Sequence, residues 1–290
     1  MSRVAYVNGR YLPHGQAHVH IDDRAHNFAD GVYEVVLVVA GAMVDEEAHM
    51  RRLARSLKEL DMRAPMPERA LLHVMHQTIG RNRVKDGLVY LQVSRGAAPR
   101  SHVYDNDTLE PTVVCTAKAV TLPADADQVA GVKVITRPDI RWGRVDIKTV
   151  SLLPNAMART AAAREGAYEA WLVDDDGFVT ECSASNAWIV DRDGCVVTRP
   201  LSPEILPGIT RDRVIRIAGE LGIAVVERPF TVAEAKSARE AFLTSTTSFV
   251  KPVTQIDDVT IGNGHPGTAT RELLAAYLDF ARKVGMKATA

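Results

Sequence analysis

One amine in this 290-residue chain stands out for its setting. Lys148 follows Asp146-Ile147 and precedes Thr149 and an apolar-biased stretch with Val150, Leu152 and Leu153, in a chain where lysine is scarce beside arginine. An amine held against apolar neighbours loses solvation of its charged form, so its pKa falls. More of it is then the neutral nucleophile that carbonyl chemistry needs. Other candidate motifs are weaker. Gly262-Asn263-Gly264-His265-Pro266-Gly267 has GxGxxG spacing between an expected strand and an expected helix. A dinucleotide site also needs a following strand and an acidic residue about 20 positions on. The sequence reaches Ala290 straight after that helix, so a Gly/Pro-rich turn is the expectation. His18 and His20 suggest two imidazoles on one side of an exposed strand, but no third ligand accompanies them, and no metal site is expected. Cys115, Cys182 and Cys195 have no CxxC spacing and read as small buried residues, neither a disulfide framework nor a thiolate site.

Composition narrows the classes. Hydrophobic residues at 46% and charged residues at 24% are ordinary for a globular protein with a real core, and 35 basic against 36 acidic side chains leave a net charge of −1. No broad basic surface for nucleic acid is expected from that balance. No apolar run approaches the ~20 residues that span a bilayer. Met1-Ser2-Arg3-Val4-Ala5-Tyr6 reads as structure and not as a signal peptide, so a cytoplasmic address is expected.

The elements that must position these groups alternate irregularly. Val4–Val7 and Arg10–Leu12 flank Asn8-Gly9, a pair suited to the positive φ values of a two-residue hairpin. Val32–Ala40 and Met43-Val44 predict a second hairpin around Gly41. Met50, Leu53, Leu57 and Leu60 recur at helical spacing over 46–61, and a second helix opens at Pro67 and runs to Ile79. Strands are expected at Leu88–Val93 and Thr112–Val120, around a polar loop from Arg95 to Pro111. Residues 121–129 lack periodicity and read as a linker, dividing an N-terminal domain over 1–120 from a C-terminal domain over 130–290. Beyond it come a strand at Val132–Thr136 and a helix over Leu153–Glu165. Two hairpins follow, then a helix over Thr210–Leu221, strands at Glu240–Thr247 and Pro252–Ile256, and a last helix over Thr268–Val284 ended by Gly285. Strict βαβ alternation is missing, which predicts an α+β class: two α/β domains with mixed sheets.

The blocks Asp146-Ile147-Lys148-Thr149, Thr180-Glu181-Cys182-Ser183-Ala184-Ser185-Asn186, Leu206-Pro207-Gly208-Ile209-Thr210-Arg211 and Thr244-Ser245-Thr246-Thr247-Ser248 come in that order. Phe28-Ala29-Asp30-Gly31-Val32-Tyr33-Glu34 and His49-Met50-Arg51-Arg52-Leu53 precede them. Together these resemble the class IV aminotransferases, which work with pyridoxal 5′-phosphate (PLP) and have the fold called type IV. The resemblance spans nearly the whole chain. It implies Lys148 as the catalytic lysine that forms a Schiff base with PLP and carries protons. It implies Glu181 as the carboxylate paired with the pyridine nitrogen, and Leu206 against a ring face. Arg52, Ile209, Thr210 and Thr246 are implied around the phosphate, where a helix start offers unpaired N–H groups and the positive end of its dipole.

Within the family, Arg95-Gly96-Ala97-Ala98-Pro99-Arg100-Ser101-His102 is similar to the RGxxxRxH segment of D-amino-acid transaminases. That likeness implies a carboxylate trap of Tyr33, Arg100 and His102, with the loop reaching in from the second subunit of a homodimer. The activity implied is amino transfer from a D-amino acid to a 2-oxo acid. Branched-chain L-amino-acid or (R)-amine transaminases, an aminodeoxychorismate lyase and a non-catalytic scaffold are the alternatives. Two positions depart from the pattern: Cys182, where glycine is common, and Phe249, where D-alanine-type members usually carry glutamate.

Overall fold

The computed structural model describes residues 3–106 and 108–289. The chain divides into two compact units. The first comprises Met1–Leu122, Ile147–Ser151 and Ala281–Ala290, the second Pro123–Asp146 and Leu152–Phe280. The segment carrying Lys148, which lies inside the C-terminal domain of the sequence reading, thus packs with the first unit.

In the first unit, β1 (Val4–Val7) and β2 (Arg10–Pro13) form the expected hairpin, with Asn8 and Gly9 at φ 43° and 88°. A short helix α1 (Arg24–Phe28) precedes β3 (Gly31–Val39) and β4 (Ala42–Met43). Helices α2 (Glu46–Glu59) and α3 (Glu68–Arg81) follow, then β5 (Gly87–Ser94) and β6 (Thr112–Ala119). The sheet runs β2-β1-β6-β5-β3-β4, antiparallel in every pairing. Alternate residues of β3, Val32, Val36 and Val38 among them, join Met50, Leu53 and Leu57 of α2 in one buried core. The other face of the sheet carries Tyr33, whose register partner on β5 is Gln92. Because strand side chains alternate, the charged Glu34 must point to the core face, and it is fully buried there.

In the second unit, β7 (Val132–Pro138), α4 (Leu153–Arg164), β8 (Glu169–Val173), β9 (Val179–Cys182), β10 (Asn186–Val190) and β11 (Val196–Thr198) come first. Then come α5 (Ile209–Glu220), β12 (Val225–Glu227), α6 (Val232–Lys236), β13 (Glu240–Ser245), β14 (Phe249–Ile256) and β15 (Val259–Thr260). This sheet mixes directions: β7 pairs β8 and β14 in parallel, and β11 pairs β12 in parallel, among antiparallel neighbours. The mixing expected of both sheets is confined to this one. Thr246 and Thr247, expected at the end of a strand, lie in the turn between β13 and β14.

The last helix, α7 (Thr268–Thr289), does not stop at Gly285. A Cβ there would lie 2.8 Å from the carbonyl oxygen of Val39. The glycine therefore permits close approach of the helix to β3 and does not end it. His18 and His20 sit on an exposed loop and not on a strand. Among the described residues no helix is long and apolar enough to cross a membrane, and no cluster of metal-binding side chains occurs.

Candidate active site

Lys148 is fixed by its backbone. Thr149 forms a β-bridge with Val32, and Lys148 O accepts from Tyr33 N at 3.0 Å, so the lysine is tied to the edge of β3. Its N–H faces Ser56 Oγ at 3.4 Å. The half-buried side chain ends with Nζ 4.3 Å from the centre of the Tyr33 ring, and it makes no hydrogen bond to a described residue. Tyr33 in turn lies 5.6 Å from the ring of Tyr90. Tyr90 donates its hydroxyl to Gln92 Oε1 at 2.7 Å, and burial pushes its pKa up to about 12. An amine and two phenols therefore share the sheet face opposite the α2 core.

Arg52 lies off the apolar stripe of α2 yet is buried, because Glu34 is waiting for it. Its Nε donates to Glu34 Oε1 at 2.8 Å and its Nη2 to Oε2 at 2.7 Å, a two-pronged pairing that fixes the guanidinium plane. His49 Nδ1 completes the cluster, 2.7 Å from the same Oε2. Burial alone would raise the Glu34 carboxyl, but the Arg52 charge and the bonds from Arg52 and His49 outweigh it and hold it down at about 2. Burial lowers the pKa of His49, against the pull of Glu34 and with that of Arg52 and Lys148. Glu34 and His49 lie inside the sequence blocks that pointed to Tyr33 and Arg52. An acidic residue in phase with the apolar positions of β3 was the signal for this ion pair.

In the second unit, Glu181 sits near the end of β9 with three donors on its carboxylate. Arg141 Nη1 donates to Oε1, while Asn186 Nδ2 at 3.0 Å and Leu206 N at 3.1 Å donate to Oε2. Asp139 grips the far side of Arg141 through bonds of 2.9 and 2.6 Å and accepts from Thr180 Oγ1 at 2.7 Å. Burial raises the Glu181 carboxyl while Arg141 opposes it. Two carboxylates against one guanidinium leave this buried cluster one negative charge in excess, an electrostatic demand that a cation would meet. Arg141 and Asp139 were missed by the sequence reading although both stand a few residues before Lys148.

The start of α5 is open. Gly208 caps it with no side-chain bond, Ile209 is half-buried, and Thr210 is buried with a hydroxyl that meets no described partner. Asn186 Oδ1 stands where a Cβ of Gly208 would be, so only glycine lets the chain pass. Thr246 likewise makes no hydrogen bond to a described residue, although its neighbours do. By contrast the N-terminus of α7, which follows the GxGxxG stretch, is already filled. Glu240 accepts from Ala269 N at 3.1 Å and from Thr270 N and Oγ1 at 2.9 and 2.7 Å. A side chain on Gly267 would overlap that carboxylate. Gly267 thus makes room for an internal cap, and the carboxylate already meets the N–H groups at that helix start.

Arg100 and His102 are exposed on the loop after β5. They share Phe28: the guanidinium lies 5.2 Å from the ring centre and the imidazole 5.4 Å. Of the three residues of the expected carboxylate trap, Tyr33 contacts Lys148 and Tyr90, while Arg100 and His102 contact Phe28.

Each unit thus carries its own share of chemistry. The first holds the Lys148 amine, without a hydrogen bond to a described residue; the second holds an anionic cluster short of a cation and orphan donors at a helix start and in a turn. These are the groups that an anionic aromatic aldehyde cofactor requires. Residues 31–256 match the family model of the amino-transferases of class IV. The chain is 38% identical over 269 residues to the D-alanine aminotransferase of Bacillus licheniformis, covering 93% of this chain and 94% of that protein. It is 40% identical over 276 residues to the D-alanine aminotransferase of Listeria monocytogenes serotype 4b (strain F2365), covering 94% of each. Its fold is similar to the crystal structure of the branched-chain aminotransferase from the thermophilic archaeon Thermoproteus uzoniensis with norvaline. The TM-score there is 0.85 at 28% identity, over 99% of this chain and 96% of that one. A branched-chain amino acid aminotransferase crystallised with pyridoxamine 5′-phosphate shares the fold as well, with a TM-score of 0.89 at 27% identity over 98% of this chain and 95% of that one. The chain belongs to the class IV aminotransferases. It is a PLP-dependent enzyme of fold type IV, acting on an amino donor and a 2-oxo acid.

Proposed function

We propose that the donor is a D-amino acid of the D-alanine kind and the acceptor a 2-oxo acid such as 2-oxoglutarate or pyruvate. The carrying observation is the Arg100–His102 pair, two exposed cationic or donor groups set side by side on Phe28 within an RGxxxRxH segment. A guanidinium grips a carboxylate by two parallel hydrogen bonds and so fixes the direction of the Cα–H bond. A homodimer in which the loop of one subunit serves the active site of the other belongs to the same reading. The kinship to D-alanine aminotransferases supports the same donor class.

PLP, when bound, supplies the electron sink that lets the substrate Cα release its proton. Lys148 is the amine that would hold it. Glu181, oriented by Arg141, Asn186 and the Leu206 N–H, would keep the ring nitrogen protonated. The cluster's excess negative charge supports this role. Leu206 would cover one ring face. Arg52, made rigid by Glu34, would meet the phosphate together with the N–H groups of Ile209 and Thr210 and the hydroxyls of Thr210 and Thr246. Lys148 Nζ would take the proton from the substrate Cα as base and give it up as acid at the cofactor carbon that receives the amino group. Tyr33, Arg100 and His102 hold the α-carboxylate meanwhile. A cytoplasmic location belongs to the same reading.

A panel of paired enantiomers with 2-oxoglutarate as acceptor tests the assignment. D-alanine should react and L-valine should not. Turnover of L-valine or of an (R)-amine in preference to D-alanine would move the enzyme to the branched-chain or amine-directed members. Repeated release of pyruvate from aminodeoxychorismate, with no 2-oxo acid added, would make it a lyase.

A further inference from the structure

We propose that Phe249 is a positioning residue that holds the Thr246 turn in register with the start of α5, through a row of aromatic side chains on α7. The inference rests on the reading that Thr246 and Thr210 serve the cofactor phosphate. The turn between β13 and β14 is closed by the pair Ser245 and Phe249. Ser245 Oγ accepts from Ser248 N at 3.1 Å and lies 3.2 Å from Thr247 Oγ1, while Ser248 Oγ meets the Tyr168 hydroxyl at 2.7 Å. These bonds use the polar groups on either side of Thr246 and leave Thr246 itself unspent. Closing so tight a turn puts Phe249 at φ 58°, the left-handed region that a bulky residue occupies only when its surroundings compel it.

What compels it is its ring. Phe249 is 6% exposed, with its ring centre 6.2 Å from that of Tyr277. Tyr277 lies 6.4 Å from Phe280, three residues on and so on the same face of α7. Phe280 carries the Arg213 guanidinium 4.0 Å from its ring centre. Arg213 stands one turn beyond Thr210 in α5. One row of contacts therefore joins the turn that bears Thr246 to the helix that bears Thr210. Two donors meant for one phosphate must keep their spacing, and a packed aromatic row, buried at Phe249 and Tyr277 and half-buried at Phe280, is a stiff spacer. Without the ring, the left-handed backbone loses its support and the turn relaxes.

The test compares loss of PLP from the holoenzyme with retention of pyridoxal, which has no phosphate, in Phe249→Ala, Phe249→Leu and the parent. Phe249→Ala should release PLP about tenfold faster, the equivalent of one charge-assisted hydrogen bond. Phe249→Leu, which keeps buried apolar bulk, should stay near the parent, and pyridoxal should be held equally by all three. Equal PLP release from Phe249→Ala and parent would overturn the proposal. So would parallel losses of PLP and pyridoxal, which mark general loosening. Should Phe249→Ala fail to fold, Tyr277→Leu cuts the same row one step away and is read in the same way. Thr246→Ala separates the premises. If it too leaves PLP release unchanged, the phosphate reading fails and the proposal with it. If it speeds release while Phe249→Ala does not, the aromatic row alone is refuted.

Discussion

The amine of Lys148 rests 4.3 Å from the ring centre of Tyr33, and the same two residues are joined through their backbones by a 3.0 Å hydrogen bond. The bridge between Val32 and Thr149 fixes the flanking register, so only the lysine's own torsions decide where Nζ reaches. A base that must meet one face of a substrate needs such a tether.

Replacing Lys148 should therefore remove both the attachment and the base. Lys148→Ala is expected to lower kcat with D-alanine by about 10⁴-fold or more, beyond what loss of a proton-transfer group alone gives. Steady-state rates with the saturated variant check this. A loss under tenfold would transfer the role to another residue.

Glu181 should govern electron withdrawal and not substrate capture. Glu181→Gln keeps the bond from Leu206 N but removes the charge, and kcat should fall by roughly 10²-fold while KM for D-alanine moves little. A kinetic profile dominated by KM would contradict the assignment.

Arg100→Ala should show the opposite split. Losing a guanidinium–carboxylate pair costs about 1.5–3 kcal/mol, a rise in KM of roughly 10–100-fold with kcat nearly intact. If the loop serves the second subunit, protomers of Lys148→Ala and Arg100→Ala refolded together should regain activity at low D-alanine. Random pairing sets the ceiling at about a quarter of the parent rate. No recovery from the mixture would place the loop in its own subunit's site.

The buried Glu34–Arg52–His49 cluster predicts acid sensitivity in two stages. His49 has its folded pKa below the ordinary value, so the fold prefers the neutral ring. Stability is full above the unfolded value of about 6.5 and starts to fall as pH drops through it. Glu34, held at about 2 against an ordinary value of 4.5, contributes stability that is complete above 4.5 and lost as pH falls from there towards 2. Denaturant midpoints between pH 8 and pH 3 should show both, and His49→Gln should flatten only the upper stage. A parent whose midpoint is constant from pH 8 to pH 5 would refute the account of His49.

Much of this was legible in residue order. Asn8-Gly9 announces its hairpin because few pairs accept two positive φ values. The Met50–Leu57 stripe announces α2 because one face must be buried. Lys148 and Glu181 stood out because their blocks follow the order of a known family. The partners that orient them were not legible. Arg52 is marked by its block, but its pairing with Glu34 shows only once β3 sets that carboxylate beneath it, and Arg141 looks like one more loop arginine until the β8–β9 pairing brings Glu181 to it. Gly285 reads as a stop, since sequence cannot distinguish a glycine that ends a helix from one that lets it pass close to a strand. Short α1 and α6 span too few turns for periodicity to register. Long-range pairing decides each of these.

Reduction of the holoenzyme with borohydride, followed by peptide mapping, bears most directly on the whole scheme. The pyridoxyl label should appear on the peptide containing Lys148 and on no other. A label on a different lysine, or none at all, would contradict it.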